Sequence, residues 1–153
     1  MRPLTRRTLP ALILVPLALG AWHLSTPPEA AYSEGEEESV LSGYMEQMGS
    51  NFKKLKAQVG EPSQTESSLE LILEMQGLIV SAKREVPGRI VEVPEPEQEA
   101  WLVDYRKKLN GLLGELCALE IALLENRHAE AEAHLLRMFE MMKAAHKIFR
   151  PAD

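Results

Sequence analysis

The sequence predicts an all-α protein that folds as an antiparallel up-down-up-down four-helix bundle. Apolar residues recur at intervals of three and four along four long segments, which is the pattern of amphipathic helices. No stretch of any length shows the apolar and polar alternation that is typical of a β-strand. The four segments are joined by short connections, so successive helices are expected to run antiparallel.

Residues 1–30 have the features of a secretory signal peptide. A positive start with Arg2, Arg6 and Arg7 is followed by an apolar run from Leu9 to Trp22. This run is shorter than the ~20 residues that a membrane-spanning helix needs, and it is interrupted by prolines. We therefore expect export and cleavage, with an uncleaved membrane anchor as the alternative. Residues 31–38 form an acidic lead-in that is expected to be a solvated tether.

The chain is acidic, with 17 Lys and Arg against 23 Asp and Glu and a net charge of −6. Because residues 1–30 hold three arginines and one glutamate, the remainder carries a net charge of −8. An acidic surface argues against nucleic acid and anionic membranes, and it favours a basic protein partner. The single cysteine, Cys117, allows no intramolecular disulfide and is expected to be a small packing residue. The sequence has no C-x-x-C-H motif, which excludes covalent attachment of a c-type haem.

The first two helices are predicted from near Ser39 to Val59 and from Ser67 to Glu85. Ser39 is a favourable N-cap, and Gly60-Glu61-Pro62 ends the first helix. The connection from Val86 to Glu97 holds prolines and a glycine that are expected to exclude helix. The predicted inward residues are Leu41, Tyr44, Met45, Met48, Phe52, Leu55 and Val59 on the first helix, and Leu69, Ile72, Leu73, Gln76, Ile79 and Val80 on the second.

The third helix is predicted from Glu97 to Glu125 and the fourth from Arg127 to Arg150. Asn126 forms the turn between them, and Pro151 blocks any extension of the fourth helix. The predicted inward residues are Trp101, Tyr105, Leu109, Leu112, Leu116, Leu119 and Leu123 on the third helix, and Ala131, Leu135, Met138, Phe139, Met142, Ala145, His146 and Phe149 on the fourth.

His146 interrupts the apolar face of the fourth helix about one turn before its end, whereas His128 and His134 are expected to be solvated. A buried imidazole needs hydrogen-bond partners for its ring nitrogens, or a metal on one of them. In the predicted bundle, Met45 lies about 9 Å and His146 about 6 Å from neighbouring helix ends. A thioether that faces an imidazole is the axial pair of a low-spin haem. The alternatives are an ordinary core histidine and core methionine, and Met48 shares nearly the same face as Met45.

Four segments of the chain form an ordered set of motifs. They are Leu41-Ser42-Gly43-Tyr44-Met45-Glu46, Val86-Pro87-Gly88-Arg89-Ile90, Asp104-Tyr105-Arg106 followed by Gly114, and His146-Lys147-Ile148-Phe149-Arg150. This set resembles the cytochrome b562 family of periplasmic b-type haem proteins, in its helix-1 segment, its proline turn, its helix-3 segment and its ending. The resemblance covers residues 41–150.

The resemblance implies one non-covalent haem b per chain, with Met45 and His146 as axial ligands of the iron. It also implies that Tyr105 and Leu109 wall the porphyrin, where the family usually has two phenylalanines. Arg150 falls on an arginine that the family retains.

Two positions depart from the family pattern. Met142 stands where the family typically has an arginine that holds a haem propionate, and Ala145 replaces a usual tyrosine. The expected substitutes for the propionate partner are Arg89, Lys143 or Arg150.

The function implied by the resemblance is electron transfer in the periplasm, without enzymatic activity. A haem iron with both axial positions filled has no open site for a substrate, so one-electron exchange is what remains. The protein is expected to be a monomer that meets basic redox partners, with no nucleic acid and no membrane beyond a possible signal anchor.

A second hypothesis is a haem-free periplasmic bundle that binds copper or senses stress or metal. Met138, Met142, His134 and His146 lie at helical spacing on the fourth helix, and soft sulfur with imidazole suits Cu(I). A third is a family member that has lost haem and persists as a structural bundle.

Overall fold

The computed structural model describes residues 34–150, with side chains described from Val40 onward. The predicted signal peptide, its alternative as an anchor and the first residues of the lead-in lie outside the described residues. The described part has four α-helices: α1, Glu34–Gln58; α2, Thr65–Ala82; α3, Glu95–Leu124; and α4, His128–Phe149. Short 3-10 helices occupy Pro62–Gln64 and Gly88–Glu92, and residues 34–150 contain no strand. The prediction of an all-α, four-helix bundle is therefore confirmed.

The start of α1 lies five residues before the predicted start at Ser39. The helix includes Glu34–Glu38, so the prediction that these residues precede the first helix is wrong. None of the described helices is long and apolar enough to cross a membrane.

The connection between α2 and α3 also differs from its prediction, because it contains the 3-10 helix Gly88–Glu92. Pro87 precedes this turn and Pro96 lies in the first turn of α3. Proline is tolerated at both places, because the first N–H groups of a helical turn have no partner within the turn. The predicted turn at Asn126 is confirmed, with a positive φ of 57° that asparagine accepts more readily than most residues.

All four helices contribute to one apolar core. Its buried residues are Leu41, Met48, Phe52, Leu55, Val59, Ile72, Met75, Ile79, Ala82, Tyr105, Leu109, Leu112, Leu116, Leu119, Ala122, Leu123, Ala131, Leu135, Met138 and Phe149. The pairs α1–α2 and α3–α4 pack more extensively than α2–α3.

The predicted inward face of α2 includes two exposed residues and omits a methionine that is fully buried. Leu73 is 67% exposed and Val80 is 43% exposed, whereas Met75 is fully buried. The apolar residues of α2 fit two overlapping stripes at helical spacing, so the periodicity does not select one of them. Phe139 on α4 is likewise 44% exposed, and it stacks on Phe52 of α1 with ring centroids 6.3 Å apart.

Candidate functional site

An apolar cavity of about 230 Å³ lies between α1, α3 and α4. Its lining residues are Met45, Met48, Gly49, Tyr105, Lys108, Leu109, Leu112, Met141, Met142, Ala144, Ala145, His146 and Phe149. We call this space the inner cavity. A concave, mostly apolar surface with few polar groups is the usual composition of a cofactor or small-molecule site.

A second cavity of about 410 Å³ shares Met45, Tyr105, His146 and Phe149 with the inner cavity. Its other lining residues are Leu41, Ser42, Glu46, Pro87, Gly88 and Arg150, which make it more polar. We call it the outer cavity. The two spaces therefore meet at one thioether, one imidazole and two aromatic rings.

Each of the six predicted site residues lines at least one of these cavities. Met45, His146 and Tyr105 line both, Leu109 and Met142 line the inner cavity, and Arg150 lines the outer cavity.

Met45 and His146 do not lie at similar distances from the ends of their helices, in contrast to the prediction. Because α1 begins at Glu34, Met45 lies about 16 Å from the helix start rather than about 9 Å. His146 lies only three residues before the end of α4. The two residues line the same cavities, but not because they lie at equal distances from their helix ends.

His146 is an exposed residue, so the prediction that its imidazole is buried on the inward face of α4 is wrong, although it lines both cavities. Partial burial nevertheless lowers its pKa, and the positive charge of Arg150 lowers the pKa further. A lowered pKa favours the neutral form of the ring, in which one nitrogen has a lone pair that can bind a metal.

Tyr105 provides a rigid aromatic wall. Its hydroxyl donates a hydrogen bond to the Ala82 carbonyl oxygen at 2.9 Å, which ties α3 to the end of α2. Burial, with a smaller contribution from the charge of Glu85, raises the pKa of the hydroxyl. The Tyr105 ring meets Phe149 edge-on at 5.4 Å between centroids, and Trp101 meets the same Phe149 ring at 4.8 Å. These contacts fix the last apolar residue of α4 beside the cavity.

Lys108 is a cation at the inner cavity that the sequence analysis missed. Its side chain is about half exposed, and its Nζ atom lies 3.9 Å from a carboxylate oxygen of Asp104. Of the substitutes proposed for the missing arginine, only Arg150 lines either cavity. Arg89 instead donates hydrogen bonds to backbone carbonyls at the end of α4, and Lys143 is not among the lining residues. Lys108 precedes the inward residue Leu109 in the sequence. This position next to the apolar face could have indicated that Lys108 lies near the cavity.

The residues proposed for copper are not brought together. Met142 and His146 line the inner cavity, but Met138 is fully buried in the core. The His134 ring lies 2.7 Å from a carboxylate oxygen of Glu115, within an ion-pair cluster that also includes Arg137. Residues 40–150 hold no group of three or more His, Cys, Asp and Glu that could bind a metal.

The structure instead groups a different set of sulfur atoms. Met45, Met48, Met141 and Met142 all line the inner cavity with His146. Sequence periodicity placed Met45, Met48 and Met142 on inward faces, but it missed Met141, which packs over Gly111 of α3.

Three further expectations need correction. His128 and His134 are half-buried rather than solvated, and the Nδ1 atom of His128 lies 3.3 Å from the Val59 carbonyl oxygen. Hydrogen bonds from His134 and Arg137 lower the pKa of Glu115. Cys117 is exposed rather than packed in the core.

The donor set and its surroundings fit a b-type haem. A thioether and an imidazole from different helices line one apolar space, with aromatic side chains and the cations Lys108 and Arg150 among the lining residues of the two cavities. Comparison of the chain with protein families, curated proteins and solved structures gives no match.

Proposed function

We propose that the protein binds one non-covalent haem b per chain and serves as an electron-transfer protein. The observation that carries this proposal is that Met45 and His146, from α1 and α4, line the same apolar cavity. When bound, the haem supplies reversible one-electron exchange.

The chain's own residues favour electron transfer over catalysis. Met45 and His146 would hold the haem iron between them, which would leave no coordination site open to a substrate. Tyr105, Leu109 and Phe149 line the inner cavity as apolar walls, which would limit the contact of a bound haem with water. A thioether ligand favours the ferrous state and thereby raises the reduction potential.

The carboxylates of the haem need cationic or polar partners at the edge of the site. Lys108 at the inner cavity and Arg150 at the outer cavity supply positive charge there. Met142 lines the inner cavity as an apolar contact, in the place where the family pattern has an arginine.

The proposal includes the up-down-up-down arrangement of the bundle. The interhelical pairs that support it are Asn51 with Glu74, Gln58 with Ser67, Gln76 with Glu120, Ala82 with Tyr105, Glu115 with His134, and Gly111 with Met141. In each pair of successive helices, residue numbers that increase along the first helix are paired with residue numbers that decrease along the second. This order is expected for antiparallel neighbours.

We also propose that the protein acts as a monomer in the periplasm after export. The acidic surface would attract basic redox partners by electrostatic steering, with binding that weakens as salt increases.

Haem titration of the purified haem-free protein tests this function. We expect saturation at one haem per chain, with a sharp Soret band and split visible bands after reduction. His146→Ala should abolish the low-spin spectrum, whereas His128→Ala should retain it because His128 lines neither cavity. Low-spin binding that is unaffected by His146→Ala would contradict the proposed ligation.

The grouping of four methionines and His146 also supports a second candidate, a periplasmic Cu(I)-binding bundle. Titration of the haem-free protein with Cu(I), in competition with a chromophoric chelator, tests it. Tight Cu(I) binding that is lost in a Met45→Leu, Met142→Leu variant, without any haem spectrum in the wild type, would favour copper over haem.

A further inference from the structure

Arg89 links the connection between α2 and α3 to the end of α4. Its Nη1 atom donates hydrogen bonds to the carbonyl oxygens of Lys147, Ile148 and Arg150, at 3.3, 3.0 and 3.2 Å. Its Nε atom donates to Glu92 at 2.9 Å, which orients the guanidinium from within the same 3-10 helix. One cation therefore spans the terminal carbonyl groups of α4.

These carbonyl groups are the ones that an α-helix leaves without intrahelical partners. A positive charge at this end of a helix also interacts favourably with the helix dipole. Arg89 thus restrains the last turn of α4, and His146 lies in that turn. The same connection contributes Pro87 and Gly88 to the outer cavity, which His146 also lines.

The last turn of α4 is also held by contacts of a different kind. Phe149 packs against Trp101 and Tyr105 of α3. The aromatic contacts hold the side chain of Phe149 in the core, whereas Arg89 holds the backbone carbonyl groups at the end of α4. The direction of the His146 side chain depends on the rotation of this turn about the helix axis.

We propose that Arg89 is a positioning residue that holds the His146 imidazole in the cavity. This inference rests on the proposed function, because it assigns His146 the role of haem ligand. Arg89 contacts backbone carbonyls and Glu92, so it acts through α4 and not on the haem.

The test compares Arg89→Ala and Arg89→Lys with Arg84→Ala, which removes an exposed arginine at the end of α2. Amide hydrogen exchange of the haem-free proteins measures the restraint itself. We expect faster exchange at Phe149 and Arg150 in Arg89→Ala than in wild type, and no change in Arg84→Ala.

Haem binding measures the consequence for His146. We expect Arg89→Ala to weaken haem binding about three- to tenfold, the loss of a partly exposed charged hydrogen-bond group. Its bound ferric haem should contain a larger high-spin fraction than wild type, because an imidazole that leaves the iron opens an axial position. Arg89→Lys should restore part of the low-spin fraction, since an ammonium retains the charge but not the forked geometry.

The spin state separates positioning from general destabilisation. A less stable protein binds less haem, but the haem that remains bound keeps its ligands. A wild-type spin state in Arg89→Ala would overturn the inference even if affinity fell, and so would unchanged exchange at the end of α4. Failure of the wild type to bind haem, or low-spin binding by His146→Ala, would instead overturn the proposed function and this inference with it.

Discussion

At His146, accessibility and protonation state both favour a ligand role. The ring is exposed enough to be reached, yet partial burial and the charge of Arg150 keep its pKa below the ordinary value. A proton on the imidazole would compete with iron for the same lone pair. The environment therefore favours the neutral form that ligation requires.

The lowered pKa of His146 predicts how the protein responds to acid. In the unfolded chain His146 takes up a proton near pH 6.5, whereas in the fold it does so at a lower pH. Its contribution to stability is therefore present above about pH 6.5 and is lost as pH falls through the folded pKa. We expect the low-spin spectrum to persist at pH 6.5 and to disappear only at lower pH, as followed by the Soret band. Loss of this spectrum above pH 6.5 would contradict neutral His146 ligation.

Substitution of the two methionines of α1 distinguishes a ligand from a core residue. Met45 is half-buried and lines both cavities, whereas Met48 is 2% exposed and lines only the inner cavity. Met45→Ala should change the ferrous spectrum and lower the reduction potential, because a ligand that favours the ferrous state is removed.

Met48→Ala is the matched control for the Met45 substitution. It should cost about 2–5 kcal/mol in the free energy of unfolding as a core truncation, with the low-spin spectrum unchanged. Chemical denaturation and visible spectroscopy measure the two effects separately. If Met48→Ala alone removed the low-spin ferrous spectrum, the assignment of Met45 as ligand would be wrong.

The residues of the candidate site were only partly predictable. Met45, Tyr105 and His146 stand on apolar stripes, which a helical period identifies directly. Lys108 and Met141 lie beside those stripes, and they reach the inner cavity with long, flexible side chains. Helical periodicity gives the direction in which a side chain leaves the backbone. It does not show how far the long, flexible side chains of lysine and methionine extend from there.

Within α3, two glycines of one helix provide a test of the cavity wall. A Cβ at Gly114 would meet nothing within 4 Å, whereas a Cβ at Gly111 would lie 2.8 Å from Met141 Cε. Gly114→Ala should therefore raise the free energy of unfolding by about 0.5–1 kcal/mol through helix propensity alone.

Gly111→Ala should stabilise α3 less, because the methyl group must displace the end of Met141. Since Met141 lines the inner cavity, haem affinity should change in Gly111→Ala but not in Gly114→Ala. Thermal denaturation and haem titration of the two variants make the comparison. Identical haem affinities would show that Met141 does not shape the site.

The type and number of helices followed from sequence, but some ends and faces did not. Proline is a strong signal, yet Pro96 lies within α3 because a first-turn position lacks the hydrogen bond that proline cannot make. Two apolar stripes of α2 are compatible with burial, and tertiary contacts determine which one is buried. The buried face contains Met75, whereas Leu73 is exposed. Packing between helices determines which face is buried, so the sequence of a single helix is not sufficient to predict it.

For the whole molecule, haem should act as a stabilising ligand. Binding to the folded state alone adds stability by mass action, about 2.7 kcal/mol when free haem is 100 times its Kd. The melting temperature followed by circular dichroism should therefore rise when haem is added. An unchanged melting temperature at saturating haem would argue against a native-state site.

The central claim is that Met45 and His146 hold one haem in the cavity between α1, α3 and α4. The most direct test is the visible spectrum of the full chain, expressed with its own N-terminus and purified from a periplasmic extract, before and after reduction. We predict one haem per chain, with a sharp Soret band and split visible bands in the reduced protein. Protein that shows no Soret band, either as purified or after addition of haem, would contradict the claim.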